Sequence, residues 1–236
     1  MRGAAVLLGL GWGLGAWAAA PCPNPYFPLE EGLELQYLAG EEKVSVSFSE
    51  TKQSGETAQA RMSVALGASG RQGSAQVSCT AQGVSTDSGG LGVVALQSSG
   101  LDVKITDSEG ILLPAPDTLR SGKPWMNKVS IEMTPPDTVK MPMGMKPIIR
   151  STFRAESTFL GGEKVTTPAG TFEAIKIKNK TTAVAGSTGS ERSMDSFLWF
   201  APGVGLVKVM TGDHVDLELV GIRRPAQAKS EKPAKK

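Results

Sequence analysis

Histidine occurs once in these 236 residues, as His214, and cysteine twice, as Cys22 and Cys79. So small a stock of imidazole and thiolate leaves a zinc site without a ligand set. No Cys-x-x-Cys pair exists and no histidine neighbours either cysteine, so nothing nearby lowers a thiol pKa for redox chemistry. The Gly-x-Ser-x-Gly turn that exposes a nucleophilic serine is also missing. Beyond the N-terminus no apolar run approaches the roughly 20 residues that a spanning helix needs. Lys, Arg, Asp or Glu recur throughout the remainder, which predicts a product without a transmembrane segment.

What is present begins with an address. Met1 and Arg2 precede an apolar run over residues 4–17, followed by Ala18, Ala19 and Ala20, the layout of a secretory signal peptide. Ala16 and Ala18 offer the small side chains that a signal peptidase requires, so residues 1–18 are expected to be removed. The run is interrupted by Gly9, Gly11, Gly13 and Gly15, which favours a cleaved leader over an anchor. Pro21 stands before Cys22 where a lipoprotein peptidase needs Gly, Ala or Ser, so Cys22 is read as unlipidated. The expected location is periplasmic, envelope-associated or extracellular. Two cysteines in an exported chain read as one disulfide, Cys22 with Cys79. Cys79 shares a strand face with Ala75 and Val77, which points its sulfur inward. In the chain-entropy view such a bridge adds about 4 kcal/mol.

Charge is unevenly distributed. Residues 223–236 hold Arg223, Arg224, Lys229, Lys232, Lys235 and Lys236 against a single acid, Glu231, whereas the body carries an excess of Asp and Glu. A Pro, Ala and Lys tail of this kind buries too little apolar surface to order itself. It is expected to be disordered, either as a solubilising appendage or as a means of reaching an anionic surface. Nucleic acid is not an expected partner, because no basic stripe is interleaved with stacking aromatics.

Between residues 33 and 222 the dominant period is two. Val44, Val46 and Phe48 alternate with Ser45, Ser47 and Ser49, and Met62, Val64 and Leu66 with Arg61, Ser63 and Ala65. The same pattern recurs over residues 101–106, 129–133, 153–159, 175–177, 206–210 and 215–219. Turn pairs such as Ser54-Gly55, Gly89-Gly90, Ala169-Gly170, Pro202-Gly203 and Thr211-Gly212 fall between the strands and predict antiparallel hairpins. The fold class is therefore all-β, with antiparallel strands in a curved sheet, sandwich or half-open barrel and at most one or two short helices, one of them within residues 87–98. Residues 19–222 read as a single domain. The proline-rich stretch 134–147 is the expected crossover between two sheets, with a domain boundary there as the alternative.

Three stretches carry a resemblance. They are Tyr26-Phe27-Pro28-Leu29-Glu30-Glu31-Gly32 ending at Tyr37, Val165-Thr166-Thr167-Pro168-Ala169-Gly170-Thr171-Phe172 leading to Ile175 and Ile177, and Trp199-Phe200-Ala201-Pro202-Gly203-Val204-Gly205-Leu206-Val207-Lys208. Together they resemble exported bacterial proteins grouped under domain of unknown function 3108 and its TapB-like relatives. The resemblance implies a curved antiparallel sheet or sandwich, supports the Cys22 and Cys79 pairing, and implies no established activity. Physically, Pro168-Ala169-Gly170 and Ala201-Pro202-Gly203 are hairpin corners. Trp199, Phe200, Tyr37 and Phe172 are then packing aromatics rather than a carbohydrate platform.

These observations favour an exported, non-enzymatic envelope protein without a cofactor, binding an apolar ligand or another envelope component. The Met- and Ile-rich residues 141–149 are a candidate cavity lining. One alternative is a hydrolase. It would use His214, with a serine and Asp195 or Asp213, or carboxylate pairs such as Glu30 with Glu31, Glu41 with Glu42 and Asp216 with Glu218. Another is a Cu(I) site, since Met141, Met143 and Met145 present soft thioethers on one side of an extended chain near Met133, although methionines also serve as adaptable packing. A third is a purely structural interaction module.

Overall fold

The alternating segments form thirteen strands: β1 (Glu34–Ala39), β2 (Glu42–Ser54), β3 (Thr57–Leu66), β4 (Gln72–Thr80), β5 (Gly83–Thr86), β6 (Asp102–Gly110), β7 (Leu113–Pro114), β8 (Trp125–Thr134), β9 (Ile149–Thr167), β10 (Gly170–Ala185), β11 (Glu191–Ala201), β12 (Gly205–Thr211) and β13 (His214–Arg223). Among the described residues two short helices, α1 (Leu91–Ser98) and α2 (Pro116–Arg120), accompany these strands. The structure is a computed structural model and describes residues 22, 24–67, 72–98, 100–120, 123–135, 147–186 and 188–225. The leader 1–18, Met141, Met143, Met145 and the lysines of the tail lie outside the described residues. Among the described residues no helix is long and apolar enough to cross a membrane.

All the strands belong to one antiparallel sheet, ordered β6, β8, β9, β10, β11, β12, β13, β1, β2, β3, β4, β5, β7. The all-β expectation thus holds in its curved, open-sheet form. The two corners expected from Pro168-Ala169-Gly170 and Ala201-Pro202-Gly203 are hairpins, with Thr167 opposite Gly170 and Ala201 opposite Gly205. One expectation fails. The strands flanking residues 134–147 pair with each other, Met133 opposite Ile149, so that stretch joins neighbours instead of crossing between sheets. Proline ends strands by removing donors, and it does so equally in a long hairpin loop and in a crossover. The long-range connections lie earlier, where the chain goes from β5 through α1 to β6 at one edge and returns to β7 at the other.

Only Ile111 and Leu112 separate β6 from β7, so the sheet must curl until its edges nearly meet. The linker extends the pairing on each side, Ile111 donating its N–H to Met126 O at 3.2 Å beside β8 and Leu112 to Val84 O at 2.8 Å beside β5, and Ser108 Oγ of β6 donates across the gap to Thr86 O of β5 at 3.0 Å. Inside the curl, α1 bridges the two ends. Ser98 Oγ donates to Val64 O at 2.8 Å and accepts the Gly73 N–H at 2.9 Å, while Val93 packs with Val129 and Ile131 of β8.

The segment before β1 laces the same structure from the N-terminal side. Cys22 is joined to Cys79 of β4, the Asn24 amide donates to Pro114 O of β7 at 2.9 Å, and Pro25 O accepts the Gly203 N–H at 2.7 Å. Phe27, Leu29 and Leu33 are buried, and Phe27 meets Phe48 edge to face with centroids 6.0 Å apart. Tyr37 reaches past β13 to donate to Leu206 O at 2.8 Å, and its complete burial pushes the phenol pKa upward. That carbonyl precedes the first residue of β12 paired with β13.

The domain also extends slightly further than its sequence suggests. Arg223 closes β13 and pairs with Glu34 at 3.2 Å, and Arg224 bonds Glu30, so these two cations of the expected tail belong to the folded body.

Replacing both Cys22 and Cys79 with Ser is expected to lower the unfolding free energy by about 2–4 kcal/mol. Urea midpoints of the wild type with and without reductant provide the same comparison. Coincident midpoints would mean that packing alone holds the N-terminal segment.

Candidate functional site

Four neighbouring strands sort their side chains by parity. Asn127 and Val129 of β8, Phe153, Ala155 and Ser157 of β9, Ile177, Asn179 and Thr181 of β10, and Met194, Ser196, Leu198 and Phe200 of β11 face the concave side. The alternate residues face outward and carry the ion pairs, Lys178 with Asp195 at 2.9 Å and Arg150 with Glu132 at 2.9 Å. Such exposed pairs contribute at most about 1 kcal/mol each, so they mark the solvent face and do not explain stability.

The concave side encloses a cavity of about 680 Å³. Its facing wall comes from Ala39, Val44, Val46, Val64 and Leu66, with Phe27 contributed by the N-terminal segment. Leu91, Val93 and Leu96 of α1 close the side where the sheet edges approach. Small-molecule sites span roughly 300–1,000 Å³ with mostly apolar walls and a few polar groups, and this cavity has both properties. The position of α1 depends on Gly73, where an added Cβ would lie 2.1 Å from Val94 O.

Behind the β11 wall, Trp199 is locked from outside. Its indole N–H donates to Glu163 Oε1 at 2.5 Å, and Lys176 Nζ lies 3.4 Å from the same carboxylate and 4.8 Å from the indole centroid. The bond from Trp199, and after it Lys176, hold the Glu163 carboxyl below its ordinary pKa. Trp199, Phe200 and Tyr37 are buried, which is the geometry of packing aromatics rather than of a stacking platform.

Residues singled out in the sequence for hydrolysis are not assembled. His214 lies 3.9 Å from Asp216 with its side chain 77% exposed, while Asp195 is held by Lys178 on the outer face. Glu30 bonds Arg224, and Glu31 accepts the Thr51 N–H at 2.7 Å. Glu41 lies in the exposed turn between β1 and β2, and Glu42 is the exposed first residue of β2. No group of three His, Cys, Asp or Glu side chains gathers as a metal site would among the described residues. The cavity also differs from the expected lining: Pro147, Ile148 and Ile149 are not part of it, and residues 141–146 lie outside the described residues. The reason is register, since residues 153–157 and not the start of β9 lie beside the enclosed part of β10 and β11. Sequence reasoning missed Ser157, Asn179 and Ser196. Their signal was available as polar residues sharing parity with Phe153, Ile177 and Leu198.

A family model described as DUF3108-like matches residues 38–215. Comparison with curated proteins finds no match. Among solved structures, the chain is similar to a candidate exported protein with YmcC-like fold from Bacteroides fragilis. That match has a TM-score of 0.58 and 16% identity, and covers 84% of this chain and 98% of the other. It is also similar to a candidate lipoprotein from Parabacteroides distasonis, with a TM-score of 0.51 and 16% identity over 86% of this chain and 99% of the other. At this identity the likeness shows the fold.

Two outcomes follow from the wall geometry. Gly73→Ala is expected to destabilise the protein by about 1–3 kcal/mol as α1 is pushed from its seat, and a wild-type melting temperature would contradict that docking. For Glu163, a lowered folded-state pKa means that its stabilisation is complete above the unfolded carboxylate pKa of 4.5 and disappears as pH falls through the folded value. Glu163→Gln should therefore melt below wild type at neutral pH, with the gap closing as pH falls below the unfolded carboxylate pKa. A gap independent of pH would assign the loss to packing.

Proposed function

The chain belongs to the DUF3108-like family, and we propose that it is an exported, non-enzymatic protein of the cell envelope that holds an apolar molecule in the cavity on its concave face. The observation that carries this reading is the cavity itself, about 680 Å³ in volume with predominantly aliphatic and aromatic walls. Export is supported by the leader-like residues 1–18, by a disulfide that suits an oxidising compartment, and by the exported and lipoprotein descriptions given to the two structural relatives. The non-enzymatic part is supported by the separation of Asp195, held by Lys178 on the outer face, and Glu30, bonded to Arg224, from the exposed His214.

An open apolar cavity in water is a standing cost, because its walls forgo both packing partners and favourable hydration. A hydrocarbon that fills it gains roughly 25 cal/mol for each Å² of apolar surface removed from water. Such a site needs no charged anchor to bind, and its contents exchange with a hydrophobic source such as a membrane.

Native mass spectrometry of protein purified from its own envelope should show co-purifying lipid. The fluorescence of N-phenyl-1-naphthylamine should rise on binding, and Ala155→Phe, which projects a ring into the cavity, should weaken that binding about tenfold or more. A clean apo monomer with no gain in melting temperature from lipids removes ligand carriage.

A further inference from the structure

Within the cavity one row of side chains differs from the rest. Ser157, Asn179 and Ser196 stand directly opposite one another on β9, β10 and β11. Both serines are buried, at 8% and 7% exposure, on the face that elsewhere presents Phe153, Ile177, Leu198 and Phe200. Ser157 Oγ donates to Asn179 Oδ1 at 3.1 Å, the Asn179 side-chain amide donates to Thr181 Oγ1 at 3.1 Å, and Ser196 Oγ donates to the main-chain carbonyl of Asn179 at 3.5 Å. The network is internally bonded yet not exhausted. A primary amide has two donor and two acceptor positions, and the contacts described for the Asn179 side chain use one of each.

The charge of the lining is as informative as its polarity. Among the described residues no Lys or Arg contributes to the cavity, and Asp216 is the only ionisable side chain in its lining. A carboxylate or phosphate placed at the depth of the row would be desolvated with no cation to meet it and with Asp216 as the nearest formal charge in the lining. A pure hydrocarbon would instead cover the row's remaining hydrogen-bonding capacity with methylenes, at a cost that a polar ligand atom avoids. The row is also not at an end of the site. Along β11, Met194 lies on one side of Ser196 and Leu198 on the other, so apolar wall continues beyond it in both directions.

Resting on the carrier reading above, we infer that the ligand is a neutral amphiphile: hydrocarbon interrupted by an uncharged ester, amide or hydroxyl group that hydrogen-bonds to Asn179 and its serine neighbours. Asn179 is the specificity residue. Ser157, bonded to the amide oxygen, is a positioning residue that fixes the amide's orientation, and Ser196, bonded to the Asn179 main-chain carbonyl, completes the row.

The test is displacement of N-phenyl-1-naphthylamine from the full mature chain by monoolein and by oleate at pH 8.5, each below its aggregation threshold. These two competitors share the same acyl chain and differ in whether the polar group is neutral or anionic. Monoolein should compete about tenfold more strongly. In Asn179→Leu that advantage should shrink to about threefold or less while the fluorophore still binds, and in Ser157→Ala, a milder change that guards against misfolding, it should shrink in the same direction. Equal competition by the two lipids in the wild type, or an advantage untouched in both variants that retain wild-type melting, overturns the ligand class and leaves ligand carriage standing. Failure of the fluorophore and both lipids to bind removes both readings together.

Discussion

Two residues, Ile111 and Leu112, connect opposite edges of a thirteen-stranded sheet. Since an extended chain advances at most about 3.5 Å per residue, the end of β6 and the start of β7 lie within roughly 10 Å of each other. No flat sheet of this width satisfies that tether, and the curvature, the inner face and the enclosed space all follow from it. The bonds from Leu112 to Val84, Ile111 to Met126 and Ser108 to Thr86 are local expressions of the same constraint. Because the tether acts at one point, the remaining length of β6 has no ladder partner on its outer side, and the sheet stays open. The helix α1 covers the inner side of that seam, anchored through Ser98 on β3 and β4 and through Val93 on β8.

Curvature also explains why the disulfide sits where it does. The N-terminal segment carries attachments to two separate parts of the sheet: Cys22 to β4 and Asn24 to β7 near one edge, and Pro25 to the β11–β12 corner in its middle. Together they join the β4–β7 edge to the β11–β12 corner, which the ladder order places far apart, so the segment acts as a girth across the curl rather than as an extra strand. Its buried side chains Phe27, Leu29 and Leu33 supply apolar area that a short irregular stretch could not retain without those ties. The bridge therefore stabilises a shape as well as a chain, and Phe27 carries that effect to the cavity wall.

Much of this was legible because alternation is a local property. The strand positions, the inward face of Cys79, the helix within 87–98 and the corners at Pro168 and Pro202 can each be read from fewer than about a dozen consecutive residues. The cavity cannot. Its walls join Val46 to Leu198 and Ala39 to Val129, pairings set by the tether at residues 111–112, which in sequence is an unremarkable Gly-Ile-Leu-Leu. The proline-rich stretch misled for a related reason: proline reports that a strand stops, but which strand the chain joins next is decided by partners far away. Ser157 and Asn179 illustrate the limit most sharply. Each is an ordinary strand residue alone, and only the register that sets Ser157, Asn179 and Ser196 side by side makes them a polar row in an apolar wall.

Strand number then accounts for the empty space. Around eight strands, a closed barrel is just wide enough for its own side chains to fill, and the diameter grows roughly linearly with further strands. Thirteen strands curled far enough to bring their edges together must enclose more volume than side chains of ordinary size can occupy. The lining makes the mismatch worse, since Ala39, Gly92, Ala95 and Ala155 are small where a filled core would place Leu or Phe. The N-terminal segment and α1 occupy part of the interior, and about 680 Å³ remains. Larger residues at those four positions would reduce the void within the same alternating pattern. A lining that combines small side chains, aliphatic walls and one polar row is therefore the composition of a container rather than of a core left incomplete.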